Sequence, residues 1–473
     1  MNVLLISTNI ETGFPYPVPP LGLAYVSRYL KDAGHAVQIV DCCFQNDWLG
    51  EIRRVLSAFS ADVVGLSMRN IDNCLFPNTV EYLSHNKRIV GLLRGLTAAP
   101  IVVGGAAARI AADSLRSELD ADWAYTGRAS EAMVQGFETI AAHERPSQCG
   151  DFVGTAGRIS EAPETSATES GRPSASVYDE IDVPSYVDNG GCVGFQTKYG
   201  CNEQCIYCTY PLIEGTRIVC TDPEVIVETV AQTVRQYGLS FYEFADSTFN
   251  NPLDHAKDIC ARLVEKRLDA GWTAFASPKF CDREFLDLCR RAGCTGLDLG
   301  VDSGSERVLE TLKKGFAPSD VERACVLARQ VGIPVCCNLA LGAPGESHTT
   351  IEETFLLMEK SRPAAVSVYS ALRVYPGTEL ERLVKQEGVV VQNALFPVFY
   401  VSPEAADVNA MLVAYRAGHP EWMLRGISKK PSQRCIARFW KGRTSPLWAD
   451  KGRKGSVLGW TDGKDTPDRA ERA

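Results

Sequence analysis

The chain has 473 residues, 45% of them hydrophobic, 17 cysteines and a formal net charge of -9. That length is more than one core ordinarily closes around, so two or three units are expected, and the negative balance argues against a general nucleic-acid binder. The cysteines are scattered, mostly single within patterns such as "DICARL" and "DLCRRAG", and read as reduced thiols of a cytosolic protein rather than a disulfide framework.

The opening "MNVLLISTN" has no basic region before its apolar run and no cleavage site after it, so it reads as a buried first strand. No apolar stretch approaches the ~18 to 20 residues of a membrane span, and a soluble cytoplasmic protein is expected. Residues 1–143 alternate the β-rich runs "VLLIS", "AVQIVD", "DVVGLS", "PIVVGG" and "DWAYTG" with amphipathic stretches beginning near Leu21, Asn46, Asn78, Ala107 and Ala129. This predicts an α/β, doubly wound Rossmann-like domain with its ligand at the carboxyl ends of the strands. Gly104, Gly105 and Gly127 lie at such ends, where a missing Cβ lets the backbone approach a phosphate or a bulky planar ligand. On its own this glycine pattern suits a flavin or a dinucleotide equally well.

Residues 144–190, with "SATESGRPSAS", break the rhythm and read as a linker. A second alternation fills 191–386, with strand candidates "CVGFQTK", "FYEFAD", "WTAFASP", "GLDLGVDS", "VCCNLALG" and "AVSVYSALRVY". Six strand-helix units predict a partial (β/α)6 TIM-type barrel with its active face at the carboxyl ends of the strands. From 387 to 473 the pattern weakens into a C-terminal extension. Its tail from Lys429 is rich in Lys, Arg, Gly and Trp, including Trp440, Arg443 and Trp448, and is expected to be a surface stretch that is disordered past Lys451.

The densest chemistry is "GCNEQCIYCTYPLIEG", which sets Cys201, Cys205 and Cys208 in eight positions. Three thiolates on one loop suit three corners of an iron-sulfur cube or, with a remote fourth ligand, a zinc ion. Structural zinc usually takes two close pairs, and only Cys205 and Cys208 form one. A cube held by three cysteines leaves one iron free for a second molecule.

This C-x-x-x-C-x-x-C loop, with Tyr207 before its last cysteine and a strand before it, resembles that of the radical S-adenosylmethionine (SAM) superfamily. The resemblance runs from about residue 190 to 385. It implies a [4Fe-4S] cluster on Cys201, Cys205 and Cys208, with SAM contacts from Asp246 in "FADSTFN", Ser277, Asp302 and Ser303 in "GVDSGSERVL", Asn338, and Gly342 in "LALGAPGES". The first domain, opening "VPPLGLAYVSRYL", resembles cobalamin (B12)-binding modules fused in front of such barrels. That likeness implies cofactor contacts from Pro20, Leu21, Gly22, Ser67, Arg69, Asn70, Gly104, Gly105, Gly127 and Glu131. In "TGRASE", Arg128 and Ala129 depart from the family's small-and-acidic turn, and none of the six histidines sits in a D-x-H-x-x-G motif. Cobalamin is therefore expected without a protein imidazole on cobalt, its lower face against the loop of Ser67, Arg69 and Asn70.

The two resemblances together imply a cobalamin-dependent radical SAM enzyme, with C-methylation of an unactivated or aromatic carbon placed first and cyclisation or rearrangement as alternatives. Tyr369 and Arg373 are the candidate catalytic residues, with Tyr375 beside them on the sixth strand. A small-molecule or peptide-derived substrate and an external flavodoxin- or ferredoxin-type electron donor are expected; no membrane or nucleic-acid partner is. A reading from a different class, a cobalamin sensor or a structural iron-sulfur protein, would bind the cofactors without cleaving SAM.

Overall fold

Val3, Leu4, Leu5 and Ile6 are all buried because β1 (Asn2–Ser7) runs through the middle of a sheet covered on both faces. The computed structural model describes residues 1–11, 16–143, 151–154, 157–158 and 175–427. In its first half β2 (Ala36–Asp41), β3 (Val63–Ser67), β4 (Ile101–Gly104) and β5 (Trp123–Tyr125) join β1 in parallel register. Alternation along the strands divides their side chains between two cores. Leu4, Ile6, Val64 and Val103 pack with Ile52, Leu93 and Leu115 on one face, and Val3, Leu5, Val63 and Val102 pack with Leu30, Met133 and Phe137 on the other. The strand order 2-1-3-4-5 puts a topological switch between β1 and β3, whose carboxyl ends open a crevice.

The sheet does not end at five strands. β6 (Phe152–Gly154) and β7 (Gly157–Arg158) add to β5 as an antiparallel edge, and helix Val183–Asp188 follows, so the stretch read as a linker is structured where it is described. Three- and two-residue strands are too short to show a period, which is why the sequence concealed them. Most of "SATESGRPSAS" lies outside the described residues. The later part ties the halves together: the Tyr186 hydroxyl donates to Asp41 at 2.7 Å, and that of Tyr178 to the Gly194 carbonyl at 2.7 Å.

The second sheet carries all six expected strands: β8 (Val193–Phe195), then, past the short pair β9 (Lys198–Tyr199) and β10 (Val219–Cys220), β11 (Phe241–Phe244), β12 (Gly271–Ala276), β13 (Cys294–Asp302), β14 (Val335–Ala340) and β15 (Ala365–Tyr369). All six run parallel in sequential order. Outward residues such as Phe244, Trp272, Leu299, Leu339 and Val368 form one large core under the surrounding helices.

"AVSVYSALRVY" is not one strand. It stops at Tyr369, and β16 (Leu372–Val374) turns away to pair antiparallel with β17 (Val398–Tyr400). The barrel's seventh strand is instead β18 (Trp422–Leu424), which pairs parallel with β15 and comes from the stretch read as an extension. The tail from Lys429, with Trp440, Arg443 and Trp448, lies outside the described residues. Among the described residues no helix is long and apolar enough to cross a membrane.

Candidate active site

The cysteine loop leaves the carboxyl end of β8 and is fixed at both ends by backbone hydrogen bonds. Gly200, at φ +84°, could not carry a side chain, since a Cβ would lie 2.0 Å from the Arg217 carbonyl oxygen. Cys201 N donates to the Gly215 carbonyl at 3.1 Å and Cys208 N to the Cys205 carbonyl at 3.1 Å. Ile206 is held from both sides, by the Leu312 carbonyl at 3.3 Å and by Leu380 N at 2.8 Å. Cys201 is buried, and Cys205 and Cys208 are half-buried. Burial pushes the Cys205 thiol up to about 11 and the Cys208 thiol up to about 12, and the neighbouring cysteines add to the rise at both. Such thiols ionise when metal coordination supplies the positive charge. Among the described residues no three His, Cys, Asp or Glu side chains are grouped to hold one metal ion. A cube takes one thiolate on each of three separate irons, so its ligands need not meet at a point. The loop's donor set fits that group.

Beside this loop, β13 ends in an irregularity that lifts Asp302 to φ +66°. Asp302 accepts from Lys314 at 2.7 Å and from the Tyr207 hydroxyl, so two segments far apart in sequence meet at the last cysteine. Lys314 is 9% exposed. Burial works against its charge, but Asp302 and the Cys205 thiol outweigh it and raise the ammonium above its ordinary value. Sequence reading missed Lys314, because a lysine in "TLKKGFA" carries no motif.

Three expected SAM contacts have hydrogen-bond partners within the protein. Asp246, 2% exposed, accepts from Thr197 N at 2.8 Å, Thr197 Oγ1 at 2.7 Å and Lys198 N at 3.2 Å, so it clamps the turn after β8. Ser303 is wholly buried, its Oγ 3.2 Å from Thr354 Oγ1 and accepting from Ser305 N, so it faces the helix behind the sheet rather than a ligand. Ser277 exchanges backbone hydrogen bonds with the Asn250 side chain. Gly342, at φ +91°, donates to Glu346, a carboxylate with no exposed surface that also accepts from Ala343 N at 2.9 Å.

Strand register defines the inner wall of the barrel. Glu243, Thr273, Phe275, Asp298, Asn338, Ser367 and Tyr369 share the face opposite the helix-covered core. Phe275 is 51% exposed on a central strand, so the interior is open there. Asn338 donates to Asp298 at 3.2 Å, and Tyr16 of the first half donates to Glu243 at 2.8 Å. Tyr369 keeps the inward place expected of it. Arg373 does not. It lies on β16, where Nε donates to Asp72 at 2.9 Å and the terminal nitrogens donate to the carbonyls of Val374 and Ala394. Tyr375 likewise turns to the first half, 3.1 Å from the Cys74 sulfur. The early end of β15 makes these two residues parts of the joint between halves.

The crevice of the first sheet is a cleft of about 340 Å³ lined by Leu21, Gly22, Ser67, Gly104, Gly105 and Gly127, all six expected there. Leu5, Val102, Met133 and Phe137 make its depth apolar, and Gln196, Tyr199, Ile213 and Glu214 of the cysteine-bearing half close its mouth. Gly105 is a spatial requirement, since a Cβ there would lie 2.5 Å from the Met68 carbonyl oxygen, and one on Gly127 would meet the side-chain ends of Asp151 and Tyr125 at 2.3 Å. A planar, mostly apolar nucleotide tail fits such a cleft. Pro20 lines a neighbouring depression and Glu131 another, so neither meets this cleft. Arg69 and Asn70 are exposed just beyond β3. Arg69 is near enough to Tyr210 for its charge to act on that hydroxyl. The departure at Arg128 has a structural reason, since its guanidinium lies 4.1 Å over the Tyr199 ring and donates to the Glu214 carbonyl at 2.7 Å. Arg109 makes a parallel tie, donating to the carbonyls of Ile213 and Gly127.

A nucleotide-type cleft facing a three-cysteine loop on a parallel barrel defines a two-cofactor α/β protein. The profile of the radical SAM superfamily matches residues 196–358 and that of the B12 binding domain residues 12–135. Together they span more than half of the chain, which belongs to the cobalamin-dependent radical SAM enzyme family. It is 24% identical over 397 residues to an uncharacterized methyltransferase of Pyrococcus horikoshii, covering 80% of this chain and 82% of that one. It is 22% identical over 461 residues to cytidylyl-2-hydroxyethylphosphonate methyltransferase of Streptomyces wedmorensis, covering 84% of each. The radical SAM methyltransferase TsrM from Kitasatospora setae, solved with cobalamin and a [4Fe-4S] cluster, superposes with a TM-score of 0.82 at 22% identity over 95% of this chain and 96% of that one. The same enzyme has been solved with tryptophan substrate and a SAM analogue.

Proposed function

We propose that the protein is a cobalamin-dependent radical SAM methyltransferase that methylates an unactivated or aromatic carbon of a small molecule. The observation carrying this reading is the shared mouth: residues 196–214, which hold the cysteine loop, also close the glycine-lined cleft of the first sheet. When bound, the [4Fe-4S] cluster supplies an electron and an open iron, SAM a methyl group and a reactive sulfonium, and cobalamin a methyl carrier.

The chain's own residues hold, orient and exclude water. Cys201, Cys205 and Cys208 supply the thiolates, and Gly200 and Ile206 fix their loop. Asp302, held by Lys314 and Tyr207, presents a carboxylate beside that loop, suited to accept from a ribose hydroxyl. Glu346 shapes the Gly342 turn that closes the site from the β14 side. Gly104, Gly105 and Gly127 give the backbone approach to cobalamin, with Arg69 and Asn70 at its lower face. A guanidinium keeps its proton, so Arg69 would hold bound cobalamin by charge and contact without offering a lone pair to a metal. The boundaries 1–143, 144–190, 191–386 and 387–473 serve as functional units in this reading, with β18 returned to the barrel. An external flavodoxin- or ferredoxin-type donor supplies the electron.

The test is anaerobic reconstitution with iron, sulfide and hydroxocobalamin, then SAM with a strong reductant and mass spectrometry. About one equivalent of S-adenosylhomocysteine per bound cobalamin is expected without any substrate, and 5'-deoxyadenosine only if the adenosyl radical forms. A Cys201→Ala/Cys205→Ala/Cys208→Ala variant should lose its iron. Protein that loads both cofactors yet leaves SAM intact would refute methyl transfer and favour the sensor reading.

A further inference from the structure

Residues 200–215, which carry the three cysteines, close on themselves. Cys201 N donates to the Gly215 carbonyl at 3.1 Å, and the Glu214 side chain accepts from Gly200 N at 3.2 Å and from Gln196 Nε2, just past β8, at 2.8 Å. Cys208 leads through Thr209 directly into the short helix Tyr210–Glu214, so the entry to the first cysteine and the exit from the last are fastened to each other. The three thiolates take their places from this closed loop.

A pair of guanidiniums holds the closed loop against the first half. Arg109, on the helix Ala106–Glu118, donates into both halves at once: to the Gly127 carbonyl just past β5, and to the Ile213 carbonyl in the closed loop. Arg128, stacked over Tyr199, donates to the next carbonyl along, that of Glu214, at 2.7 Å. Arg109, Gly127, Arg128, Ile213 and Glu214 all line the glycine-walled cleft. Burial and the neighbouring Arg128 charge both oppose the Arg109 charge, with Asp151 and Glu214 partly offsetting them. What the position uses is the planar fork, which satisfies acceptors on two separate segments together. The Asp72–Arg373 pair joins the same halves but is not part of the cleft's lining.

We propose that Arg109 is a positioning residue that couples the two cofactor sites: with Arg128 beside it, it fastens the closed cysteine loop to the cleft wall, so that the cluster strengthens cobalamin binding and cobalamin strengthens retention of the cluster. The physical basis is shared order. Thiolates bound to a cluster fix the closed loop, and a ligand packed against Gly127 fixes the cleft wall. Arg109 bridges the two, so whichever is fixed first leaves the other less freedom to lose. Linkage makes the effect equal in both directions. The inference needs both cofactors to bind and rests on nothing in the methyl-transfer reading.

The experiment is anaerobic equilibrium dialysis of the full chain against hydroxocobalamin, with the [4Fe-4S] cluster reconstituted and with it stripped. The wild type should bind about 5- to 150-fold more tightly with the cluster than without it, the usual span for coupled sites, and hydroxocobalamin should in turn slow the loss of iron to a chelator. Arg109→Met should bring the affinity ratio close to unity and remove that protection while both cofactors still load. Arg109→Lys, which reaches one carbonyl at a time, should keep part of the ratio, and Arg128→Met should lower it by a smaller factor. Asp72→Asn loosens the same joint away from the cleft and should leave the ratio intact, whereas a merely structural role for Arg109 predicts the same loss in both. If Arg109→Met fails to fold by circular dichroism, Arg109→Lys and Arg128→Met decide. Equal wild-type affinity with and without the cluster, a ratio that survives in the Arg109 variants, or one that Asp72→Asn erases equally would overturn the inference. No cobalamin uptake by either form would overturn it together with the two-cofactor assignment. Missing S-adenosylhomocysteine with the ratio intact would strike the methyltransferase reading alone.

Discussion

Asp72 and Arg373 lie 301 positions apart and form a pair 2.9 Å long whose side chains are 0% and 4% exposed. Asp72 also accepts from Cys74 N at 2.8 Å, and Arg373 satisfies the Val374 and Ala394 carbonyls, so the pair organises backbone on both sides of the joint. Were it a surface ion pair, removal of one partner would cost about 0.2 to 1 kcal/mol. Buried as it is, Asp72→Asn leaves a guanidinium without its counter-charge, and the expected loss is about 3 to 5 kcal/mol. Arg373→Met should cost a similar amount, because it strands a carboxylate and two carbonyls. The double variant should fall well short of the sum, since each change removes the group the other leaves unpaired. Differential scanning calorimetry of the four proteins at matched cofactor loading measures this, with the transition linking the two halves most affected. A loss below about 1 kcal/mol for Asp72→Asn, or strict additivity in the double variant, would show that the pair does not couple the halves.

Two further perturbations test the site's framework. Gly105→Ala puts a Cβ 2.5 Å from the Met68 carbonyl oxygen at φ +92°, and should cost at least about 1 to 3 kcal/mol in urea melts and reduce cobalamin retention on gel filtration. Gly22→Ala, with nothing within 4 Å of the new atom, should leave stability within about 1 kcal/mol and affect retention alone. Burial pushes the Glu346 carboxyl from 4.5 up to about 7, opposed by the Ala343 and Gly342 amides. The folded state thus holds a proton that the unfolded chain releases near 4.5. Stability from this group is full below that pH and is lost as pH rises through about 7, by up to about 3 kcal/mol. Glu346→Gln should flatten that part of the stability profile between pH 4.5 and 7, and an unchanged slope would show that Glu346 is not its source.

The sequence by itself determined the periodic parts and the local ones. Runs such as "VLLIS" and "PIVVGG" are buried on both faces, so they must be apolar throughout, and Ser67, Gly104, Gly105 and Gly127 converge on one cleft because strand ends in a doubly wound sheet share an edge, with Leu21 and Gly22 joining them from the start of a helix. The three cysteines were legible because their ligand set is closed within eight residues. What only the tertiary structure decided depends on where distant segments meet. Tyr369, Arg373 and Tyr375 read as residues of one strand, but the break after Tyr369 sends the latter two into the joint, where a buried carboxylate from the other half takes Arg373. Asp246 and Ser303 have the residue types of ligands, and only the fold reveals their buried partners, the turn after β8 and Thr354. Lys314 gains its place beside the cysteine loop from Asp302, a residue 12 positions away. A charge in a polar stretch carries no periodic signal, so its burial and its partner exist only once the chain has folded.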